Sequence, residues 1–344
     1  MRHFIFAVCA PSLVALAVSG ATAQENAEAF YRGRTLSIVV GHEVGTGYDL
    51  YARTVARYLS KNMPGQPTVI TQNMVGAAGL SSAVWLANVA PRDGSVIATF
   101  AHTASVDPLL GASGGKFDPS KFNWIGNLDE VTGTCAFSPE AGITKIEDLY
   151  TKEVVVGAAG AGVGGPLSQS ARGVRNLLGM KLKLIQGYKG SADVRLAILR
   201  GEVNGLCGIP LSTLKTEWRD DFTSGRIRPL LQLGLNKNPE LKDVPHVYDF
   251  VKTPEDRQVL DLIFGAQANG RPYAAPPGTP PGRVAALRSG FAQTIRDPQF
   301  LAEAEKLQLD LKPTAGEDVQ KLIDRFYAYP PAIVARAKAA VRQD

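Results

Sequence analysis

Cysteine is scarce in this 344-residue chain, and one of its three, Cys9, falls in the apolar start. Cys135 and Cys207 stand far apart, there is no CxxC, and no histidine cluster accompanies them. That argues against a zinc site or a thiol-redox motif. In an oxidising compartment these two are either one disulfide or two buried thiols, and spacing does not choose between them. Charge of one sign is also lacking: 37 Lys and Arg against 32 Asp and Glu leave a formal +5. The basic residues are scattered, without aromatic platforms beside them, so nucleic acid is not an expected partner. After the first 20 residues no apolar run approaches the length of a membrane-spanning helix. GxxxxGK[ST], GxSxG and HExxH are all missing, which removes the P-loop, the hydrolase elbow and the zincin helix.

What is present begins with an export signal. Arg2 and His3 precede FIFAVCAPSLVALAVSG, and Ala21-Thr22-Ala23 supplies small residues for cleavage after Ala23. Residues 1–23 are therefore expected to be a signal peptide and the mature chain periplasmic. The remainder is long enough for two cores. Strands are expected at 35–41, 68–72 and 95–101, with helices at 48–60 and 79–89 between them, an α/β unit with parallel pairing. After NWIGNLDEVTGTCAFSP the pattern repeats: EVVVGAAG, a helix at 166–178, KLKLIQGY, a helix at 191–200, VNGLCGIP, and RIRPLLQLG as a return crossing. The tail reads as a proline-rich loop, PYAAPPGTPPGR, followed by helices at 282–296, 298–307 and 316–337.

Glycine marks the strand ends. GAAGAGVGG (157–165) satisfies GxGxxG, but the next strand runs into Gln186, Gly187, Tyr188 and Lys189 where an acidic residue should hold a ribose. No dinucleotide, and no other cofactor, is expected. Glycines before a helix serve a plainer purpose: they let its first backbone N–H groups approach an anion. Gly45 and Gly47 precede one helix, Gly76 and Gly79 a second, and the 160–165 run a third. Ligands of α/β sheets sit at such strand ends. No residue stands as a catalytic nucleophile or base, and Ser168, Ser170 and Ser191 read as helix-start or pocket hydroxyls. Asp49 has two readings, a cap on the first turn or an acceptor for a ligand amine or hydroxyl. His42 and Glu43 either touch a ligand or face solvent at the rim.

Several of these segments together resemble one family, the receptors of tripartite tricarboxylate transporters (TctC-like or Bug extracytoplasmic solute-binding proteins). The segments are Tyr31-Arg32-Gly33-Arg34 before SIVV, GTGYDLYAR, QNMVGAAG, APRDGSVIATF, Tyr188-Lys189-Gly190 with LRGEVNG, and APPGTPPGRVAAL. The resemblance runs from Tyr31 to Val341. It implies a two-lobed periplasmic-binding-protein type II fold of class α/β, with the ligand cleft between lobes joined by two crossing strands. Lobe 1 would comprise 30–124 plus 235–344 and lobe 2 125–234. The implied function is capture of a small mono-, di- or tricarboxylate and its delivery to separate large and small membrane subunits, by a monomer without enzymatic activity. A module presenting the acid to a membrane signalling receptor is the alternative, and a periplasmic enzyme acting on a small acid the remote one. The implied ligand-binding residues are Gly45, Thr46, Gly47, Tyr48 and Asp49 in the first loop and Asn73, Ala77, Ala78 and Gly79 in the second. His102 follows the third strand, and Ala161, Gly162, Ser168 and Tyr188 face them from lobe 2. This chain departs from the family where many relatives carry a proline-rich run ending in two glycines: here stand Gly41-His42-Glu43-Val44-Gly45. It departs again at Gly164-Gly165-Pro166, where a bulkier helix opening with a histidine is common.

Overall fold

In a computed structural model of the chain, residues 27–111, 117–159 and 165–342 are described. The expected signal peptide, and Ala161 and Gly162 of the expected site, lie outside them. Two sheets organise the molecule. The first has the order β11-β4-β10-β3-β1-β2 and the second β7-β6-β8-β5-β9. In the first, β1 (Thr35–Val40) lies between β2 (Thr68–Asn73) and β3 (Val96–Thr99), parallel to both. All four residues of β3 are buried, as a strand covered on both faces requires. The helices α1 (Gly47–Asn62) and α2 (Leu80–Asn88) cross over between these strands. Tyr51, Ala52, Val55 and Leu59 put a helical-period apolar stripe of α1 into the core.

The chain passes to the second sheet between β4 (Asn123–Asn127) and β5 (Gly133–Phe137). There β6 (Val154–Ala159), α3 (Pro166–Leu178), β7 (Leu182–Tyr188), α4 (Ser191–Leu199) and β8 (Gly205–Pro210) form the second crossover unit. β6 is parallel to β7 and β8, and β5 runs antiparallel to β8 and β9 (Arg228–Leu233). Cys135 and Cys207 face each other in the β5–β8 register and are joined as a disulfide. After β9 the chain returns through α5 (Pro254–Phe264) to β10 (Pro272–Ala275), α6 (Pro281–Thr294), α7 (Pro298–Lys306), the short β11 (Thr314–Ala315), α8 (Gly316–Tyr327) and α9 (Pro331–Val341).

Two expectations change here. The helix expected over 316–337 is two helices, because Pro330 and Pro331 remove N–H donors from its middle; Pro331 opens the second. The PYAA stretch expected as loop is β10, which pairs antiparallel with both β3 and β4. Pro272 is tolerated because it is the strand's first residue. A single apolar cluster takes in Phe100 and Trp124 of the first sheet's side, Val156 and Leu231 of the second, and Phe264 and Ile333 of the returning helices. Helix α9 packs on α3 and α5, and Asn176 donates to the Ala340 carbonyl at 2.7 Å. No helix among the described residues is long and apolar enough to cross a membrane.

Candidate functional site

Parallel strands place their C-terminal ends on one edge, so the helices that follow them all start there. In the first sheet this edge carries the starts of α1 and α2, and in the second those of α3 and α4. The N-cap residues Thr46, Gly79, Gly165 and Gly190 supply no side-chain cap to these helices. The Thr46 hydroxyl instead donates to the Glu43 carbonyl at 2.8 Å. First-turn N–H groups at all four starts are therefore without the usual side-chain acceptor.

Asp49 is the third residue of α1 and is buried. One carboxylate oxygen accepts from Gly45 N–H and from Arg53 Nε, both at 2.9 Å; the other accepts from Asn73 Nδ2 at 2.8 Å. Arg53 also donates to Asn73 Oδ1, and Asn73 Nδ2 to the His42 carbonyl. Burial pushes the Asp49 carboxyl up, but the Arg53, Gly45 and Asn73 bonds outweigh it and hold the group below the ordinary carboxylate range. The network ties the loop after β1 to the end of β2 and to α1.

Beside the same turn, the Tyr48 ring packs against two partners. The His42 ring stacks on it, with centroids 4.1 Å apart and planes 10° apart, and the Arg271 guanidinium lies 4.3 Å from the Tyr48 centroid. The Tyr48 ring is thus engaged within the protein by an aromatic stack and a cation–π contact. Its hydroxyl accepts from His102 N–H at 3.2 Å and lies 3.4 Å from His102 Nδ1. Burial, with Arg271 adding to it, lowers the pKa of His42 to about 4 and that of His102 to about 3. Both rings are therefore neutral at neutral pH. Glu43 and Ala77 are exposed, and Ala77 holds a positive φ of 47° in the turn before α2. Gly79 is required: at φ +92° a Cβ would meet Ala101 N at 3.0 Å and His42 Nε2 at 3.1 Å.

From the second sheet, the buried Ser168 hydroxyl accepts from Gln186 Nε2 at 3.2 Å, and Arg172 donates to Gln186 Oε1 at 3.0 Å. Tyr188 is half-buried at the end of β7, against the Gly157 backbone. A direct bond joins the two edges: Gln169 of α3 donates to Asp107, which follows β3, at 2.7 Å. Burial pushes the Asp107 carboxyl up to about 6, against the lowering effect of its bonds from Gln169 and Thr103. At the flank where the chain crosses between the sheets lies a cavity of about 320 Å³, bordered by Asp129, Thr132, Ser212, Asn238 and Asp310. None of the residues expected to line the ligand site borders it.

Among the described residues, then, the first-sheet set from Gly45 to Asp49 is drawn together with Asn73 and His102, and Gly79 is held against His42. Sequence reasoning missed Arg271. Its only local signal is a cation opening an otherwise apolar strand, and what makes it notable, contact with Tyr48, is set by the pairing of β10 with β3.

No family model matches the chain, and no curated protein sequence matches it. Solved structures do. A TctC solute-binding protein from Polaromonas, without ligand, is 20% identical with a TM-score of 0.67, over 89% of this chain and 99% of that one. BugD, a periplasmic binding protein, is 22% identical with a TM-score of 0.65, over 91% and 100%. MatC from Rhodopseudomonas palustris, with bound malate, is 19% identical with a TM-score of 0.64, over 90% and 99%. Through most of its length this chain has the two-lobed fold of the TctC and Bug solute-binding proteins.

Proposed function

We propose that the chain is an exported, non-catalytic receptor of the tripartite tricarboxylate transporter type. It captures a small organic acid in the crevice between its sheets and delivers it to separate large and small membrane subunits. The observation that carries this reading is the gathering of four helix starts without side-chain caps on the crevice edges of the two sheets. Backbone N–H groups at helix starts replace the water around a carboxylate, each such contact contributing on the order of 0.3–1 kcal/mol when exposed and more when buried. Two structures of the same fold hold acids, malate in MatC and adipate in another R. palustris protein. The apolar start with Ala21-Thr22-Ala23 supports export to the periplasm. In this reading the Asp49 network sets the shape of the first loop, and lobe closure brings Ser168 and Tyr188 toward it.

The test is a thermal-shift series with malate, adipate, benzoate and glutamate on the purified protein. At least one acid should raise the melting temperature in a concentration-dependent way. No shift with any of the four contradicts the anion site.

A further inference from the structure

Arg271, beside the first turn of α1, is set apart by its partners. The partly buried Arg53, Arg195 and Arg288 each pair with a carboxylate, of Asp49, Asp221 and Glu317 respectively, while Arg283, at the opposite edge of the first sheet, donates to the Asp93 carbonyl. Arg271 is also partly buried, yet among the described residues no carboxylate comes within ion-pair distance of it. Its Nη1 donates to the adjacent Gly270 carbonyl at 3.2 Å, and its Nε is buried with no acceptor. Its Nη2 lies beside the start of α1: a Cβ on Gly47 would stand 3.2 Å from it. A guanidinium partly withdrawn from water without a counter-ion carries a cost, which falls when an anion arrives.

Among the described residues, no carboxylate pairs directly with the Arg271 guanidinium. Asp49 is committed to Arg53, Asn73 and Gly45. Asp129, across the crossing segment, is buried and makes no ion pair with Arg271; burial raises its carboxyl to about 7, with Arg271 opposing and Asp310 reinforcing the effect, so at neutral pH it carries only part of a charge. His42 and His102 are neutral, so they add no competing positive charge. What remains is one fixed guanidinium at an uncapped helix start, with Tyr48 beneath it.

We propose that Arg271 is the charged anchor of the acid site, pairing with one carboxylate of the ligand beside the first turn of α1. This rests on the acid-receptor reading and sharpens its substrate class. The site takes acids with an ionised carboxylate and discriminates against the corresponding amides and esters, because only the anion supplies the missing charge. Arg271 is then the specificity-determining residue, and the backbone N–H groups complete the carboxylate's hydrogen bonds.

The experiment is calorimetric titration of malate, adipate, benzoate and glutamate into wild type, Arg271→Gln and Arg271→Lys, at low and at high salt. For the acid that wild type binds best, R271Q should weaken binding by about thirtyfold or more. R271K should retain more affinity, because it keeps the charge but not the planar fork. Wild-type affinity should weaken as salt is raised, and that dependence should be markedly smaller in R271Q. A purely structural role for Arg271 would not move the salt profile. Wild-type affinity indifferent to salt, or R271Q binding as tightly as wild type, overturns the anchor while leaving the receptor reading intact. Failure of wild type to bind any of the four acids overturns both. Should R271Q melt well below wild type, R271K and the wild-type salt profile decide the outcome.

Discussion

Asp49 and Arg271 flank the same first turn of α1, yet the fold treats them oppositely. Asp49 has both carboxylate oxygens engaged, by a backbone amide, a guanidinium and a side-chain amide. Arg271 has a neighbouring carbonyl for one nitrogen, contacts with the Tyr48 and Tyr51 rings and no acceptor for its Nε. A charged group whose valences are filled from within builds the scaffold. A charged group left short at the edge of a crevice awaits something from solution. The contrast assigns shape to one side of the turn and recognition to the other.

Removal of Asp49 should separate the two roles most strongly. Asp49→Ala leaves Gly45 N–H and the Asn73 amide without their acceptor and Arg53 without its anion, and should cost about 3 kcal/mol in urea unfolding. Its effect on binding should be similar for every acid, since the whole loop loosens. A selective loss for amino- or hydroxy-bearing acids, with stability unchanged, would instead place Asp49 against the ligand. Gly79→Ala should cost about 1–3 kcal/mol, from strain at positive φ and displacement of His42. Unfolding midpoints measure it, and a neutral result would mean the His42–Gly79 contact is loose.

Smaller effects follow from pH. His42 and His102 have folded pKa values of about 4 and 3, below the usual 6.5. The unfolded chain therefore takes up protons first as pH falls below 6.5, and their contribution to stability is progressively lost from there down. His102→Asn should flatten that part of the profile. Asp107 acts with the opposite sign. Its folded pKa of about 6 exceeds the ordinary 3.8, so the folded chain holds the extra proton between those values and stability falls as pH rises through them. Asp107→Asn, neutral throughout, should remove that slope, as read from melting temperatures across the range.

Much of the scaffold was legible because its signals are local. The alternation in TLSIVV, the stripe of Tyr51, Val55 and Leu59, and Pro166 opening α3 all act within a turn or two. Where the reading failed, a local signal misled it. Prolines suggested loop at PYAA, although a proline at a strand's first position costs no ladder bond, and periodicity alone carried one helix across Pro330-Pro331. The helix Pro254–Phe264 went unread between longer segments. The site is harder still. The glycine loops announce helix starts, but the partners that distinguish Asp49 from Arg271 are fixed by strand pairing. Arg271 reaches Tyr48 only because β10 inserts between β3 and β4. No spacing along the chain encodes that meeting.

Capture of an organic acid can be read by native mass spectrometry of the chain purified from its producing cells without refolding. An organic acid should accompany the folded protein and be released on denaturation, chemically unchanged. Protein that carries no acid, and gains none on incubation with malate, adipate, benzoate or glutamate, would contradict the account.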